Sequence, residues 1–172
     1  MIALVGFMGA GKTTVGRLLA ARLGLYFVDT DSAVERRAGM TIAELFSARG
    51  ESAFRALERE VIVTALDGEN AVLSLGGGAL GDPSTCASLE WATVVHLEVG
   101  FGVAMRRIGA DSRRPLMAVS DPKALFDERR ALYGRVADIT VSTDGKRPDA
   151  VAGEIESALA SITGAQASAP LA

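Results

Sequence analysis

The chain has 172 residues, of which 49% are hydrophobic and 23% charged, and its formal net charge is −3. These values are typical of a single globular domain with a substantial core, and the acidic balance argues against a broad nucleic-acid-binding surface. The one cysteine, Cys86, excludes an intrachain disulfide, and no apolar run approaches the ~20 residues of a membrane span. We therefore expect a cytoplasmic monomer with neither nucleic-acid nor membrane partners.

Short apolar runs alternate with helical patterns along the chain. In chain order the sequence predicts strand 2–5, helix 13–23, strand 25–28, a helix opened by the capping box 41–44, helix 51–66, strand 71–75, strand 93–99, helix 103–108, loop 110–122, helix 122–138, strand 139–142 and helix 148–162. Strands alternating with helices imply a parallel sheet covered on both faces, a three-layer α/β/α fold. Residues 1–162 form one predicted domain, and we expect the small polar tail 163–172 to be disordered.

The stretch 6–13, GFMGAGKT, fits the pattern G-x-x-x-x-G-K-[ST]. It follows a predicted strand and precedes a predicted helix, which is the context of a phosphate-binding loop. Backbone N–H groups and the positive end of the helix would hold phosphate oxygens, Lys12 would bridge the β- and γ-phosphates, and Thr13 would offer its hydroxyl to Mg²⁺. The alternative is a glycine-rich surface turn, but the flanking strand and helix favour ATP binding.

Two further motifs end predicted strands. Asp29 and Asp31 are two residues apart, so both carboxylates can face the same side, one serving a metal through water and the other an acceptor hydroxyl. Capping of the helical segment that follows is the alternative role for this pair. Three glycines, 76–78, indicate either close approach of backbone to a ligand or a tight turn. Because ligands of parallel sheets bind outside the carboxyl ends of the strands, these motifs predict one shared site with the phosphate loop.

Five motifs in order resemble the shikimate kinase family, namely GFMGAGKTTVG at 6–16, Asp29-Thr30-Asp31, Phe54-Arg55-x-x-Glu58, Ser74-Leu75-Gly76-Gly77-Gly78 and Arg113-Arg114-Pro115-Leu116. The resemblance runs from residue 1 to about residue 162. It implies ATP-dependent phosphorylation of the 3-hydroxyl of shikimate, in the pathway to chorismate and the aromatic amino acids. It also implies a P-loop fold like that of the nucleoside-monophosphate kinases, with strand order 2-3-1-4-5 and a substrate-binding segment at about 32–60.

Shikimate carries a carboxylate, which arginine binds through two parallel contacts. By resemblance Arg55 and Arg129 bind this group, and Glu58, one helical turn after Arg55, could orient the guanidinium or be an ordinary surface partner. Alanine stands at position 131 where the family usually has proline, so Arg130 remains an alternative to Arg129. The predicted substrate-binding residues are Asp31, Arg55, Glu58, Gly76, Gly77, Gly78 and Arg129.

Catalysis is assigned by the same resemblance to Asp31, Lys12 and Arg114. Asp31 would hold the acceptor hydroxyl and either take its proton or only align it. Arg114, in a predicted mobile lid at about 110–122, could swing onto the phosphates and stabilise charge in the transition state. Thr13 and, through water, Asp29 are the predicted Mg²⁺ ligands. The predicted ATP-binding residues are Gly9, Ala10, Gly11, Lys12, Thr13, Thr14, Arg107, Arg114 and Lys146.

Two other functions compete with this one. A gluconate-type small-molecule kinase would share the phosphate loop, but the Arg55/Glu58 and triple-glycine motifs weigh against it. A non-catalytic nucleotide-sensing module would need no acceptor pocket, so Asp31, Arg55 and Arg129 weigh against it. His96, inside an apolar strand, is expected to be a buried histidine of the sheet rather than a catalytic residue.

Overall fold

A computed structural model describes residues 1–68, 70–109 and 121–167 of the chain. Its five strands form one all-parallel sheet whose order, with the strands numbered along the chain, is 2-3-1-4-5. This confirms the predicted fold class and strand order. The strands are β1 (Ile2–Val5), β2 (Tyr26–Asp29), β3 (Ala71–Ser74), β4 (Thr93–Glu98) and β5 (Ile139–Ser142). Each lies within one or two residues of its predicted bounds.

Helices cover both faces of this sheet. Those in the described part of the chain are α1 (Lys12–Leu23), α2 (Thr30–Ala38), α3 (Ile42–Leu66), α4 (Pro83–Ser88), α5 (Phe101–Ile108), α6 (Pro122–Val136) and α7 (Pro148–Ala167). None of them, within the ranges the structure covers, is both long and apolar enough to cross a bilayer. Short 3₁₀ turns at Ala79–Gly81 and Leu89–Trp91 flank α4.

Helix α7 runs to Ala167, five residues beyond its predicted end at 162. Residues 168–172 lie outside the described residues, as do 110–120, on which most of the predicted lid falls. Helix α4, opened by the Asp82 cap and Pro83, was not predicted.

The central strands are buried along their whole length. Every residue of β1 and β3 is buried, as continuous apolar strands must be when helices cover both faces of a sheet. Ile2 pairs with Val72 on one side and with Thr93 on the other, which places β1 in the middle. The register also aligns Asp29 with Ser74, so the carboxyl ends of neighbouring strands reach one edge of the sheet.

Helix α3 consists of two helical stretches joined at a kink. Its N-terminus is closed by a capping box formed by Thr41 and Glu44. Glu44 N–H donates to Thr41 Oγ1 at 3.2 Å, and Thr41 N–H donates to Glu44 Oε2 at 2.8 Å. Gly50 has φ 78° and ψ 173°, which breaks the helix between the two stretches that the sequence predicted separately. Helices α2 and α3 enclose a small second hydrophobic cluster, separate from the main core, built around Val34, Leu45, Phe54 and Val61.

Candidate active site

The phosphate loop lies between β1 and α1, and three of its glycines have φ values that other residues rarely adopt. Gly6, Gly9 and Gly11 have φ of 147°, 79° and 93°. A side chain at Gly6 would also place its Cβ 2.6 Å from the carbonyl oxygen of Leu97. Gly11 is the N-cap of α1 and offers no side chain to the first-turn N–H groups, which leaves the helix end able to receive an anion.

Lys12 and Thr13 begin α1 and turn toward the same edge of the sheet. Lys12 Nζ donates to the carbonyl of Gly6 at 2.7 Å, so the side chain curls back over the loop. Thr13 Oγ1 donates to Asp29 Oδ2 at 2.7 Å, which joins the phosphate loop to the end of β2. The loop and the first turn together carry the predicted ATP-binding residues Gly9, Ala10, Gly11, Lys12, Thr13 and Thr14.

Asp29 does two things at once. While Oδ2 accepts from Thr13, Oδ1 accepts from the Ser32 N–H at 3.1 Å and caps α2. The capping role foreseen as an alternative is therefore present, and it fixes the carboxylate beside Thr13. No group of three or more His, Cys, Asp and Glu side chains suited to a metal occurs among the described residues.

Thr30 is a site-forming residue that sequence reasoning missed. Its side chain is fully buried, its hydroxyl donates to the carbonyl of Ser74 at 3.2 Å, and the same oxygen accepts from the Gly76 N–H at 3.0 Å. The end of β2 is thereby tied to the glycine segment after β3. The only signal in the sequence is its place between Asp29 and Asp31, at the junction of β2 and α2.

Two of the three glycines after β3, Gly76 and Gly78, are required for room rather than for backbone freedom. None of Gly76, Gly77 and Gly78 has a positive φ. A Cβ built on Gly76 would lie 2.6 Å from Asp31 Oδ1 and 2.8 Å from Glu58 Oε1. The glycines therefore form a turn, as one alternative predicted, but their missing side chains let charged groups approach the backbone.

Arg55 and Glu58 form a half-buried pair, in which Glu58 is buried and the Arg55 side chain is 30% exposed. Arg55 Nη1 donates to Glu58 Oε2 at 2.6 Å, and the guanidinium also contacts Glu51 Oε1 at 3.2 Å. Only 4% of the Glu58 side chain is exposed, and its Oε1 has no hydrogen-bond partner among the described residues. Burial raises the pKa of Glu58; Arg55 opposes this shift and Asp31 adds to it.

Arg129 and Arg130 point to different places. Arg129 Nη1 donates to the carbonyl of Gly77 at 2.5 Å, which places its guanidinium beside the glycine segment. Arg130 instead pairs with Glu98, at 3.1 Å from Nη2 to Oε1, and its side chain is 58% exposed. Of these two arginines, the structure brings Arg129 to the other predicted substrate-binding residues.

Arg107 is fixed between the phosphate loop and the end of β5. Its Nη1 donates to the carbonyl of Gly9 at 3.1 Å and to Thr143 Oγ1 at 3.0 Å, and Nη2 donates to the Thr143 carbonyl at 2.7 Å. Lys146 pairs with Glu154 of α7 at 2.6 Å. Arg114 lies outside the described residues. The role of Thr143, like that of Thr30, left no pattern in the sequence.

A parallel sheet of order 2-3-1-4-5 with a phosphate loop after its central strand defines a P-loop kinase of the nucleoside-monophosphate-kinase type. Beside that loop, carboxylates and guanidinium groups converge on the glycine segment, as a small anionic acceptor requires. The model of the family "Shikimate kinase" matches residues 8–160, and the chain belongs to the shikimate kinase family.

Individual relatives agree with this assignment. The chain is 49% identical over 153 residues to shikimate kinase of Thermobifida fusca, covering 87% of this chain and 88% of the relative. It is 44% identical over 160 residues to that of Rhodococcus erythropolis, covering 91% and 95%.

Solved structures give the same result. Shikimate kinase from Acinetobacter baumannii in complex with shikimate superposes with a TM-score of 0.88 at 37% identity, covering 93% of this chain and 92% of that one. The Aquifex aeolicus shikimate kinase superposes with a TM-score of 0.85 at 38% identity, covering 94% and 97%. The chain is thus an ATP-dependent kinase of the shikimate pathway, and neither the gluconate-type kinase nor the nucleotide sensor is favoured.

Proposed function

We propose that this chain transfers the γ-phosphate of Mg·ATP in line to the 3-hydroxyl of shikimate. The observation that carries the residue assignments is the placement of two guanidinium groups against consecutive glycines. Arg129 lies on the carbonyl of Gly77, and a Cβ on Gly78 would lie 2.8 Å from Arg55 Nη2. These glycines follow β3, the strand next to the one that carries the phosphate loop.

Binding of the acceptor falls to the two arginines. Each guanidinium can make two parallel hydrogen bonds to a carboxylate, which fixes the acceptor in orientation as well as in place. Glu58 holds Arg55 through the 2.6 Å contact and keeps it charged: burial opposes the charged form, but Glu58 and Glu51 raise the pKa of Arg55. A prearranged pair of this kind loses little entropy when the substrate binds.

Asp31 is the proposed partner of the reacting hydroxyl. Asp31 lies in the first turn of α2, and its Oδ1 faces Gly76, which precedes the two glycines that the arginines contact. Phosphoryl transfer has a loose transition state, so alignment of the hydroxyl is its first contribution, and acceptance of the proton as the bond to phosphorus forms is its second.

The phosphates are the proposed ligands of the loop, of Lys12 and of Arg114. The hydroxyl of Thr13 and the carboxylate of Asp29, 2.7 Å apart, are the hard oxygen donors that Mg²⁺ prefers, with Asp29 acting through a water. Bound Mg²⁺ would neutralise charge on the β- and γ-phosphates.

Arg107 is the proposed partner of the adenine. Its three hydrogen bonds fix the plane of the guanidinium, which would offer one face to the adenine, with Lys146 at the edge of this site.

The first test is ADP release from Mg·ATP with shikimate, gluconate or no acceptor. We expect release to need shikimate and Arg55→Ala to lower kcat/KM for shikimate by about a hundredfold, the loss typical of a deleted member of a hydrogen-bonded charged pair. Arg59→Ala is the matched control, because Arg59 lies one turn further along α3 and pairs with Asp82 at 2.7 Å instead. Release that does not depend on any acceptor would overturn the proposal.

We also propose that the enzyme works as a cytoplasmic monomer. The hydrogen bonds that position the described site residues, such as those from Thr13 to Asp29 and from Arg129 to Gly77, form within one copy of the chain. Sedimentation at assay concentration would test this, and a stable dimer would contradict it.

A further inference from the structure

The carbonyl oxygen of Gly77 accepts two hydrogen bonds from helix α6. Tyr133 Oη donates at 2.6 Å and Arg129 Nη1 donates at 2.5 Å. The two residues are four apart on the helix, so their side chains extend on the same face. A carbonyl oxygen has two lone pairs, and these two donors therefore saturate it.

Tyr133 has a position that the core determines. It is 2% exposed, and its ring centroid lies 5.4 Å from that of His96, a buried histidine of β4. Burial raises the pKa of Tyr133 to about 12, although Arg129 opposes the shift, so the phenol remains a donor throughout the physiological range. Its hydroxyl therefore has a fixed position in the core and can hold a neighbouring acceptor in place through a hydrogen bond.

The Gly77 carbonyl needs such a fixed point. Gly77 has glycines on both sides, and glycine has the greatest backbone freedom of any residue. Hydrogen bonds within the turn hold the carbonyls of Gly76 and Gly78, which accept from the N–H groups of Ala79 and Gly81, whereas the Gly77 carbonyl is held by the two donors of α6. Arg129 cannot supply the restraint alone, because its long side chain has many rotamers of its own.

We propose that Tyr133 is a positioning residue for the acceptor. Its hydroxyl fixes the Gly77 carbonyl, and the carbonyl in turn fixes the guanidinium of Arg129, so that the other N–H groups of Arg129 meet the carboxylate of shikimate in a set direction. The inference rests on the proposed role of Arg129 in binding that carboxylate.

The variant that tests it is Tyr133→Phe, which deletes one oxygen and keeps the ring against His96. Orientation of Arg129 serves the bound substrate and the transition state alike, so we expect KM for shikimate to rise about five- to tenfold while kcat and KM for ATP stay within about twofold. Tyr26→Phe is the matched control, since Tyr26 is 67% exposed at the start of β2. A variant with unchanged KM for shikimate, or one unfolded at the assay temperature, would overturn the inference in favour of a purely structural role.

Two further measurements separate the inference from the proposal beneath it. If Tyr133 acts through Arg129, adding Tyr133→Phe to Arg129→Lys should raise KM little further, whereas additive effects would refute the link. A shikimate analogue with hydroxymethyl in place of the carboxylate should show no difference between native enzyme and Tyr133→Phe. If Arg129→Lys leaves KM for shikimate unchanged, the proposed role of Arg129 is wrong. If Arg129→Lys raises this KM and Tyr133→Phe leaves it unchanged, only the inference about Tyr133 is wrong.

Discussion

Charged side chains approach the backbone closely at Gly76 and Gly78 because these residues have no Cβ. Two carboxylates face Gly76, and the guanidinium of Arg55 lies against Gly78. The site therefore concentrates charge of both signs in a small volume without placing side chains between the groups and the acceptor. Substitutions at Gly76 and Gly78 should therefore alter substrate binding by displacing the neighbouring charged side chains, and not by straining the backbone.

Gly78→Ala should displace Arg55. The new Cβ would lie 2.8 Å from Nη2, and the end of a flexible side chain moves more easily than backbone does. We expect KM for shikimate to rise about tenfold, with a thermal midpoint within a few degrees of native. Gly81→Ala is the control, because nothing lies within 4 Å of its Cβ. Equal KM values for the two variants would contradict the explanation.

Glu58 should make stability depend on pH. Its pKa is raised in the folded state by burial, so the folded protein holds this proton more tightly than the unfolded chain does. The stability that Glu58 contributes is then complete below its unfolded pKa of about 4.5 and is lost as pH rises through the higher folded pKa. Urea unfolding of native enzyme and Glu58→Gln between about pH 4 and pH 7 would measure this. Native stability that improves relative to the variant as pH rises would mean that pairing with Arg55 outweighs burial.

The motifs supply the charged residues of the proposed site, but they carry no sign of the residues that support it. Asp31, Arg55 and Arg129 stand in recognisable patterns. Thr30 and Thr143 act through hydroxyl contacts to residues more than forty positions away in the chain, as in the bond from Thr30 to Ser74. Such contacts depend on the register of the sheet, and a threonine that follows a strand looks the same in the sequence whether or not it makes them.

At the scale of elements, helix α3 joins the acceptor site to the second hydrophobic cluster. Gly50 turns the chain between a first stretch that packs Leu45 into the cluster and a second that carries Arg55 and Glu58. Nothing lies within 4 Å of a Cβ built on Gly50, so its positive φ, not space, requires glycine there. The direction of the second stretch, and with it of Arg55, depends on this kink.

Gly50→Ala should therefore lower the free energy of unfolding by about 1–3 kcal/mol, because φ 78° combined with ψ 173° is a backbone conformation that essentially only glycine occupies. Gly134→Ala is the matched control: Gly134 is exposed within α6, has no positive φ and nothing within 4 Å of its Cβ, so alanine should stabilise by about 0.4–1 kcal/mol. Denaturant unfolding of both variants would check the opposite signs. Destabilisation by both would show that packing, rather than φ, sets the effect.

Strands β1, β3 and β4 were predictable because each is a largely apolar run, as buried parallel strands are. Strand β5 instead alternates, with Ile139 and Val141 buried. Helix α4 was missed because it has only six residues, too few to show a helical period. The strand order could not follow from periodicity, since any order buries the same runs. It came from the family resemblance, which uses information that one sequence does not contain.

At the scale of the whole molecule, the acceptor site spans two hydrophobic clusters. Asp31, Arg55 and Glu58 belong to α2 and α3, which enclose the second cluster. The glycine segment lies between Leu75 and Ala79 of the main core, and Arg129 lies on α6, four residues before Tyr133 of that core. A substrate that contacts both sets would link the clusters through its own hydrogen bonds.

Hydrogen exchange should reveal this link. We expect amides of α2 and α3 to exchange faster than those of β1 and β3 in the free enzyme, because the second cluster is small. Shikimate should slow exchange in α2 and α3, and ADP alone should slow it mainly in the phosphate loop and α1. The shikimate analogue with hydroxymethyl in place of the carboxylate is the control, and equal protection by both compounds would contradict the link through the arginines.

Among the strands that the structure describes, β1 alone pairs with both halves of the sheet. Strands β2 and β3 pair with each other, as do β4 and β5, and β1 lies between β3 and β4. Separation of the halves therefore requires release of the strand that leads directly into the phosphate loop. A nucleotide bound to that loop should therefore oppose the separation of the two halves of the sheet. Degradation by cellular proteases follows opening of the fold, so the lifetime of the enzyme should lengthen when ATP is abundant and shorten when it is depleted.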